Sequence, residues 1–308
     1  VFHLYAVLLG YGLFKLMEHN PAWRLLLAQL GGMWLVAFPN WGMVYFLQVL
    51  YAVWARELKR SLRESGQLMG AFSRPLLWVL IFGVGLSPFF RTGLRETSFL
   101  VPFTYVQFIF PAVAVLNIMY PAVQAAVSLI YDREFGFFRE IFASPASRPA
   151  VFLGKLLGGA SLALLQGMLV LLLAPFVDVP MPWGVFWACL LPMLLIALAF
   201  TALGLIIASR MRSFEGFGVF ANTLILPVYF LASSIFPLDP SLTIEQQQQI
   251  FPPWLVFLVR INPLTYAIDT LRGVSIGFQQ FDPTAGWLVL SLGTALLVGW
   301  AYYEFNRR

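Results

Sequence analysis

Val179–Ser209, "VPMPWGVFWACLLPMLLIALAFTALGLIIAS", runs from Asp178 to Arg210 without a charged residue. A helix needs roughly 20 apolar residues to cross about 30 Å of hydrocarbon, so this stretch holds a span with room to spare. The rest of the chain has the same character. Of its 308 residues 60% are hydrophobic and only 11% charged, with a mean hydropathy of +0.81. A soluble domain carries roughly 25% charged residues to cover its core with a wetted shell. That shell is missing here, so much of the surface must face lipid.

Other charge-free gaps run from Arg74 to Arg91, Glu96 to Asp132, Lys155 to Asp178, Glu215 to Asp239 and Asp282 to Glu304. Each has room for one span, the first only if residues near Met69 join it. The expectation is an all-α, polytopic membrane protein with six transmembrane helices in residues 67–308. Lys/Arg bias sets the orientation. With the segment before Arg74 in the cytoplasm, six spans return the C-terminus there. Of the 19 Lys and Arg, thirteen then lie inside and four, Arg91, Arg95, Arg260 and Arg272, outside; Lys15 and Arg24 precede this region.

Two segments do not span. In residues 44–66, Leu47, Leu50, Trp54, Leu58 and Leu62 share one helical arc, and Arg56, Lys59, Arg60 and Arg63 the opposite one. That pattern predicts an amphipathic connecting helix in the cytoplasmic interface, its cations toward lipid phosphates or a partner. The second is "FPLDPSLTIEQQQQIFPPWLVFLVRINPLTYAIDTLR", Phe236–Arg272, whose longest apolar run is too short to cross and is broken by Pro252-Pro253. Short external or re-entrant helices are expected there, before the last span.

The chemistry-bearing residues are sparse. There is no phosphate-binding G-x-x-x-x-G-K-[ST] loop, since Gly154-Lys155 lacks the preceding glycine. The two histidines, His3 and His19, lie far from the spans, and the single Cys189 sits in an apolar run, where packing is its expected role. A metal site is therefore not expected, nor is an enzyme. No dense basic patch with interleaved aromatics suggests nucleic acid. No charge lies deep in a proposed span, which disfavours an ion-coupled transporter or channel. Lys155 and Arg74, near span ends, are read as snorkelling to the interface. A membrane enzyme acting on lipid, the other alternative, would lack catalytic groups. Energy for transport must come from elsewhere.

A candidate entry point follows the second span: "YDREFGFFREIFASPASRPAVFLGKLLGG", Tyr131–Gly159. Phe137, Phe138, Ile141 and Phe142 form an aromatic face edged by Asp132, Arg133, Glu134, Arg139 and Glu140. Such a short helix suits a groove on another protein. Pro145 ends it, and Ser147 with Pro149 opens the next helix. There Gly154, Gly158 and Gly159 make a small-residue surface for close helix approach.

These residues resemble the signature of the type-2 ABC exporter permeases, which include drug, nodulation-factor and polysaccharide exporters. Glu134, Gly136, Glu140, Ser144-Pro145 and Gly154-Lys155 fill its places. "ARELKRSLRE", "SRPLLWVLIFGVGL" and "RINPLTYAIDTLRG" also look like that family, and the likeness covers about residues 44–308. The last motif leans toward the drug-type branch. The resemblance implies a membrane subunit in the bacterial plasma (inner) membrane, working as a homodimer with two ATP-binding-cassette subunits that hold ATP and Mg, so that this chain itself binds no cofactor. It implies a coupling helix within about residues 132–148, built on Asp132, Arg133, Glu134, Gly136, Phe137, Phe138, Arg139 and Glu140. External helices in about 237–272, including Asn262, Pro263 and Tyr266, would close an outer gate. The second and fifth spans would line the path, suggesting Phe108, Asn117, Tyr120, Asn222, Tyr229 and Phe230. The implied function is export of an amphiphilic or lipid-linked substrate. Residues 1–43 depart from the family pattern. They lack a signal peptide's basic start and cleavage site, and are expected as a membrane-associated extension, with an extra span the alternative.

Overall fold

The computed structural model describes residues 39–63, 65–85, 104–136, 146–211, 213–235, 238, 240 and 242–307. The extension before Pro39 and the aromatic face at 137–142 therefore lie outside the described residues. The chain divides after Val49 into two compact units. Every contact reported below lies within the second, Leu50–Arg308.

Among the described residues the protein is all helix. The connecting helix is α1 (Pro39–Arg63). Helix α2 (Ser65–Trp78) runs into a π-helical stretch at Val79–Val84, so residues around Met69 do extend the first apolar segment. Then come α3 (Tyr105–Ala125), α4 (Val127–Glu134) and α5 (Arg148–Leu171). Next are α6 (Trp183–Ala188), α7 (Leu190–Arg210) and α8 (Phe214–Phe230). Three short helices follow, α9 (Ile244–Ile250), α10 (Pro253–Ile261) and α11 (Pro263–Ile276), before α12 (Pro283–Arg307).

Local chemistry fixes several boundaries. Thr104 caps α3 in a reciprocal box with Gln107, whose amide also donates to the Asp178 carbonyl at 2.7 Å. Ser147 takes the extended N-cap backbone of α5 with Pro149 in the first turn, as its sequence suggests, although its hydroxyl makes no cap bond. Asn262 caps α11 through the Leu264 N–H at 3.0 Å, with Pro263 at its start. Gly277, at φ 72°, ends that helix in the left-handed region.

Four stretches are long and apolar enough to cross a membrane: Tyr105–Glu134, Arg148–Leu171, Trp183–Arg210 and Pro283–Arg307. Helix α8 is apolar but only 17 residues long, about 26 Å at 1.5 Å per residue. The protein is thus a multi-pass helical membrane protein. The predicted second span, α3, is the most enclosed; Phe108 through Met119 are all buried.

The small-residue surface on α5 performs the predicted close packing. A Cβ on Gly154 would lie 2.7 Å from the Val53 Cβ, and one on Gly158 would lie 2.7 Å from the Glu57 Cβ. Connecting helix and α5 therefore approach with no room for a side chain between them. Gly159 does the same against Ala125 of α3 and Thr201 of α7, at 2.8 Å from each.

Candidate functional site

That close approach brings four charges together. The Lys155 ammonium donates to Glu57 Oε1 at 2.9 Å and to the Ser128 hydroxyl at 3.1 Å, and lies 2.6 Å from Asp132 Oδ2. Arg56 closes the cluster, reaching Asp132 at 2.6 Å and Glu57 at 3.0 Å. The lysine side chain is 1% exposed. This corrects the snorkelling reading. Two carboxylates and a hydroxyl supply inside the protein what water would supply outside. It also corrects the expectation that no charge is buried within the spans, since Lys155 sits two turns into α5. Burial opposes the charge on Glu57, but Lys155 and then Arg56 outweigh it and hold the carboxyl below its ordinary range.

The cluster joins α1, α4 and α5 at the place where the candidate coupling segment begins. Asp132 is buried in it, whereas Arg133 and Glu134 are exposed. Arg133 donates to the carbonyls of Ser209 and Met211 at 3.4 and 3.2 Å, tying α4 to the end of α7. Gly136 turns the chain at φ 75°. Phe137, Phe138, Arg139 and Glu140 lie beyond the described residues. Where the chain returns, Arg148 donates to the Asn306 carbonyl of α12 at 3.0 Å. Nearby, Arg210 pairs with Glu304 at 2.5 Å and lies over the Trp300 ring. Both ends of the segment are thus fastened to the helix ends around it. Of the connecting-helix cations, Arg56 turns inward, Arg60 lies over the Tyr131 ring, and Lys59 and Arg63 are exposed.

A second polar cluster surrounds Arg272, which is wholly buried. Its guanidinium donates to the carbonyls of Ser233 (2.7 Å) and Phe108 (3.3 Å), to Gln280 Oε1 (3.1 Å) and to Asp269 (3.4 Å). It also stacks 3.9 Å from the centre of the Phe108 ring. Asp269 in turn accepts from the N–H groups of Gln280 and Phe281. Burial lowers Arg272 to about 10 and raises Asp269; each opposes the other's shift. The Lys/Arg bias placed Arg272 on the outer side, in the stretch where short external or re-entrant helices were expected, and gave no sign of its burial. Arg272 and Asp269 tie α11 and the segments following α8 and α11 to α3.

The gate candidates share this region. Asn262 donates to the Val228 carbonyl of α8 at 2.7 Å, and the Tyr266 hydroxyl to the Arg260 carbonyl at 3.0 Å, while Pro263 is exposed. The six pathway candidates do not share one cavity. Phe108 and Tyr229 are core residues, and Phe230 packs on Trp78 and Tyr229. Asn222 is exposed. Asn117, bonded to the Gln166 carbonyl at 3.1 Å, and Tyr120, beneath the Arg74 guanidinium, line an apolar cleft of about 280 Å³ with Trp78 and Leu226. A larger apolar cavity of about 560 Å³ lies between α3, α7, α8 and α12, walled by residues such as Met119, Phe200, Leu224 and Leu297. A polar cleft of about 400 Å³, missed in the sequence, opens beside the ion cluster among Arg60, Arg74, Gln124, Tyr131 and Gln166.

The described residues thus form a multi-span helical bundle with α1 fastened to its core by the ion cluster and short helices before its last span. Residues 48–276 match the ABC-2 type transporter family, and the chain belongs to that family. It is 24% identical over 262 residues to the inner membrane transport permease YadH of Escherichia coli K12, covering 84% of this chain and 95% of that protein. Identity to a protein named as transport permease ycf38, from Cyanophora paradoxa, is 24% over 232 residues, 74% of each chain. Nodulation protein J of Rhizobium leguminosarum bv. trifolii is 24% identical over 238 residues, 75% of this chain and 82% of that one.

Proposed function

We propose that this permease exports an amphiphilic or lipid-linked substrate from the cytoplasm, driven by two separate ATP-binding-cassette subunits that carry ATP and Mg. In this reading it has six spans and a cytoplasmic C-terminus, sits in a bacterial inner membrane, and pairs with a second copy of itself to form the path. Force enters through Asp132 to Ser144. Phe137 and Phe138 dock in the ATP-binding subunit, with Glu134, Arg139 and Glu140 at the rim.

One observation carries this reading: Asp132, the residue leading into that segment, is a node of the buried cluster joining α1, α4 and α5. A push on the segment therefore acts on the interfacial helix and two spans together. Interdigitated interiors transmit such displacement because they are close-packed. The test is co-purification with the ATP-binding subunit and assay of ATP turnover. Glu134→Ala and Phe138→Ala are expected to lower assembly or turnover. If both leave assembly and turnover untouched, force does not enter here.

A further inference from the structure

The polar cleft beside the ion cluster is unlike the other cavities. Its walls come from α1 (Glu57, Arg60), α2 (Arg74), α3 and α4 (Tyr120, Gln124, Tyr131) and α5 (Gln166). Arg56, Glu57, Asp132 and Lys155 neutralise one another within their cluster. The cleft's own excess is therefore the two positive charges of Arg60 and Arg74. Neither makes an ion pair among the described residues. Each lies over an aromatic ring instead, Arg60 at 4.8 Å from the centre of Tyr131 and Arg74 at 4.7 Å from that of Tyr120.

A buried amide adds an independent sign. Gln166 is 1% exposed and lines the cleft, yet neither its side-chain oxygen nor its nitrogen has a hydrogen-bond partner. A buried amide in a native structure ordinarily has one, because leaving it unpaired forfeits its hydration without compensation. Beyond Arg74 and Tyr120 the wall changes character. The same two residues also border the cleft of about 280 Å³ whose other walls are mainly apolar, with Trp78, Val113, Leu116 and Leu226. A cationic, amide-bearing chamber thus shares a wall with an apolar slot.

We infer that these two clefts together form a binding site for an anionic amphiphile. Its phosphate-type headgroup lies between Arg60, Arg74 and Gln166, and its hydrocarbon lies along Trp78 and Leu226. Arginine suits this task because its planar fork donates two parallel hydrogen bonds to a phosphate while its face rests on an aromatic ring. The Gln166 amide supplies a further donor. The inference rests on the export reading for the ligand's role as cargo, but not for the binding itself.

The test is calorimetric titration of the purified full-length permease in neutral detergent with three probes: dioctanoyl phosphatidic acid, dioctanoylglycerol and inorganic phosphate. The acid is expected to bind, with the neutral diglyceride and the tail-less phosphate each at least about tenfold weaker, since each lacks one half of what the site recognises. Arg60→Gln and Arg74→Gln should each weaken the acid by about tenfold, with Arg74→Lys recovering part of the loss. Melting temperature is followed in parallel; if Arg74→Gln does not fold, the exposed Arg60 decides the matter. Diglyceride binding as tight as the acid would overturn the headgroup site. Phosphate binding as tight as the acid would overturn the role of the slot. Unchanged affinity in a folded Arg60→Gln protein would overturn the assignment of these residues. Binding is read on the permease alone, so a failed titration leaves the ATP-coupling reading standing, and the converse holds.

Discussion

The Lys155 ammonium lies 2.6 Å from the Asp132 carboxylate, with almost none of the lysine reaching the surface. Removing only the cation leaves Asp132 and Glu57 buried with Arg56, itself partly exposed, as their remaining partner. Lys155→Met is expected to destabilise the protein by about 3 kcal/mol, the low end for breaking a buried pair. Adding Glu57→Gln and Asp132→Asn to that change should recover much of the loss. Thermal unfolding in detergent checks both, and a single variant as stable as the parent would show the cluster to be dispensable.

The same cluster makes stability depend on pH. Glu57 has a folded-state pKa below its ordinary value because Lys155 and Arg56 outweigh its burial. Its contribution is therefore complete above the unfolded pKa of about 4.3 and is lost as pH falls through the lower folded value. Melting temperature should fall in acid below about pH 4.3, and Glu57→Gln should flatten that fall. An acid limb equally steep in the variant would remove Glu57 from the explanation.

Glycine substitutions separate close packing from helix propensity. At Gly158 a new Cβ would meet the Glu57 Cβ at 2.7 Å, whereas at Gly293 of α12 nothing lies within 4 Å. Gly158→Ala should cost about 1–3 kcal/mol through overpacking. Gly293→Ala should be neutral, or stabilise by up to about 1 kcal/mol. Unfolding midpoints of the two variants measure the contrast; equal midpoints would contradict the α1–α5 contact.

Arg272 donates to groups on α3, on α11 and on the segments following α8 and α11. A lysine keeps the charge but not the planar fork, so Arg272→Lys is expected to destabilise by about 2–3 kcal/mol. Limited proteolysis near residues 238–252 should quicken in the variant, because Ser233 and Gln280 lose their shared partner. Unchanged cleavage would mean that Arg272 does not hold this region in place.

Much of the architecture was legible because lipid imposes a coarse rule. A long uncharged run such as Val179–Ser209 has few alternatives to a helix, and α6 with α7 fills most of it. The Gly154–Gly158 spacing was equally readable, since only close backbone approach makes use of two small residues one turn apart. The ion cluster was not. Glu57 lies 98 residues from Lys155, and on its own it looks like a stray acid on a basic helix face. The burial of Arg272 was hidden for a related reason: its carbonyl partners, Phe108 and Ser233, lie 164 and 39 residues away. Phe108 and Tyr229 show the limit for a pathway, because a core aromatic and a lining aromatic have the same local sequence.

The central claim is that the segment from Asp132 to Ser144 receives the force of ATP hydrolysis, and cross-linking tests it most directly. The one native cysteine, Cys189, is buried, so no accessible native thiol competes with a cysteine introduced at position 138. Phe138→Cys, co-purified with its ATP-binding subunit and treated with a short thiol-to-amine cross-linker, should give a covalent permease–ATPase product and lose stimulated ATP turnover. A cysteine at the exposed Leu296 of α12 should give neither. Absence of the product at position 138, with ATP turnover intact, would contradict the account.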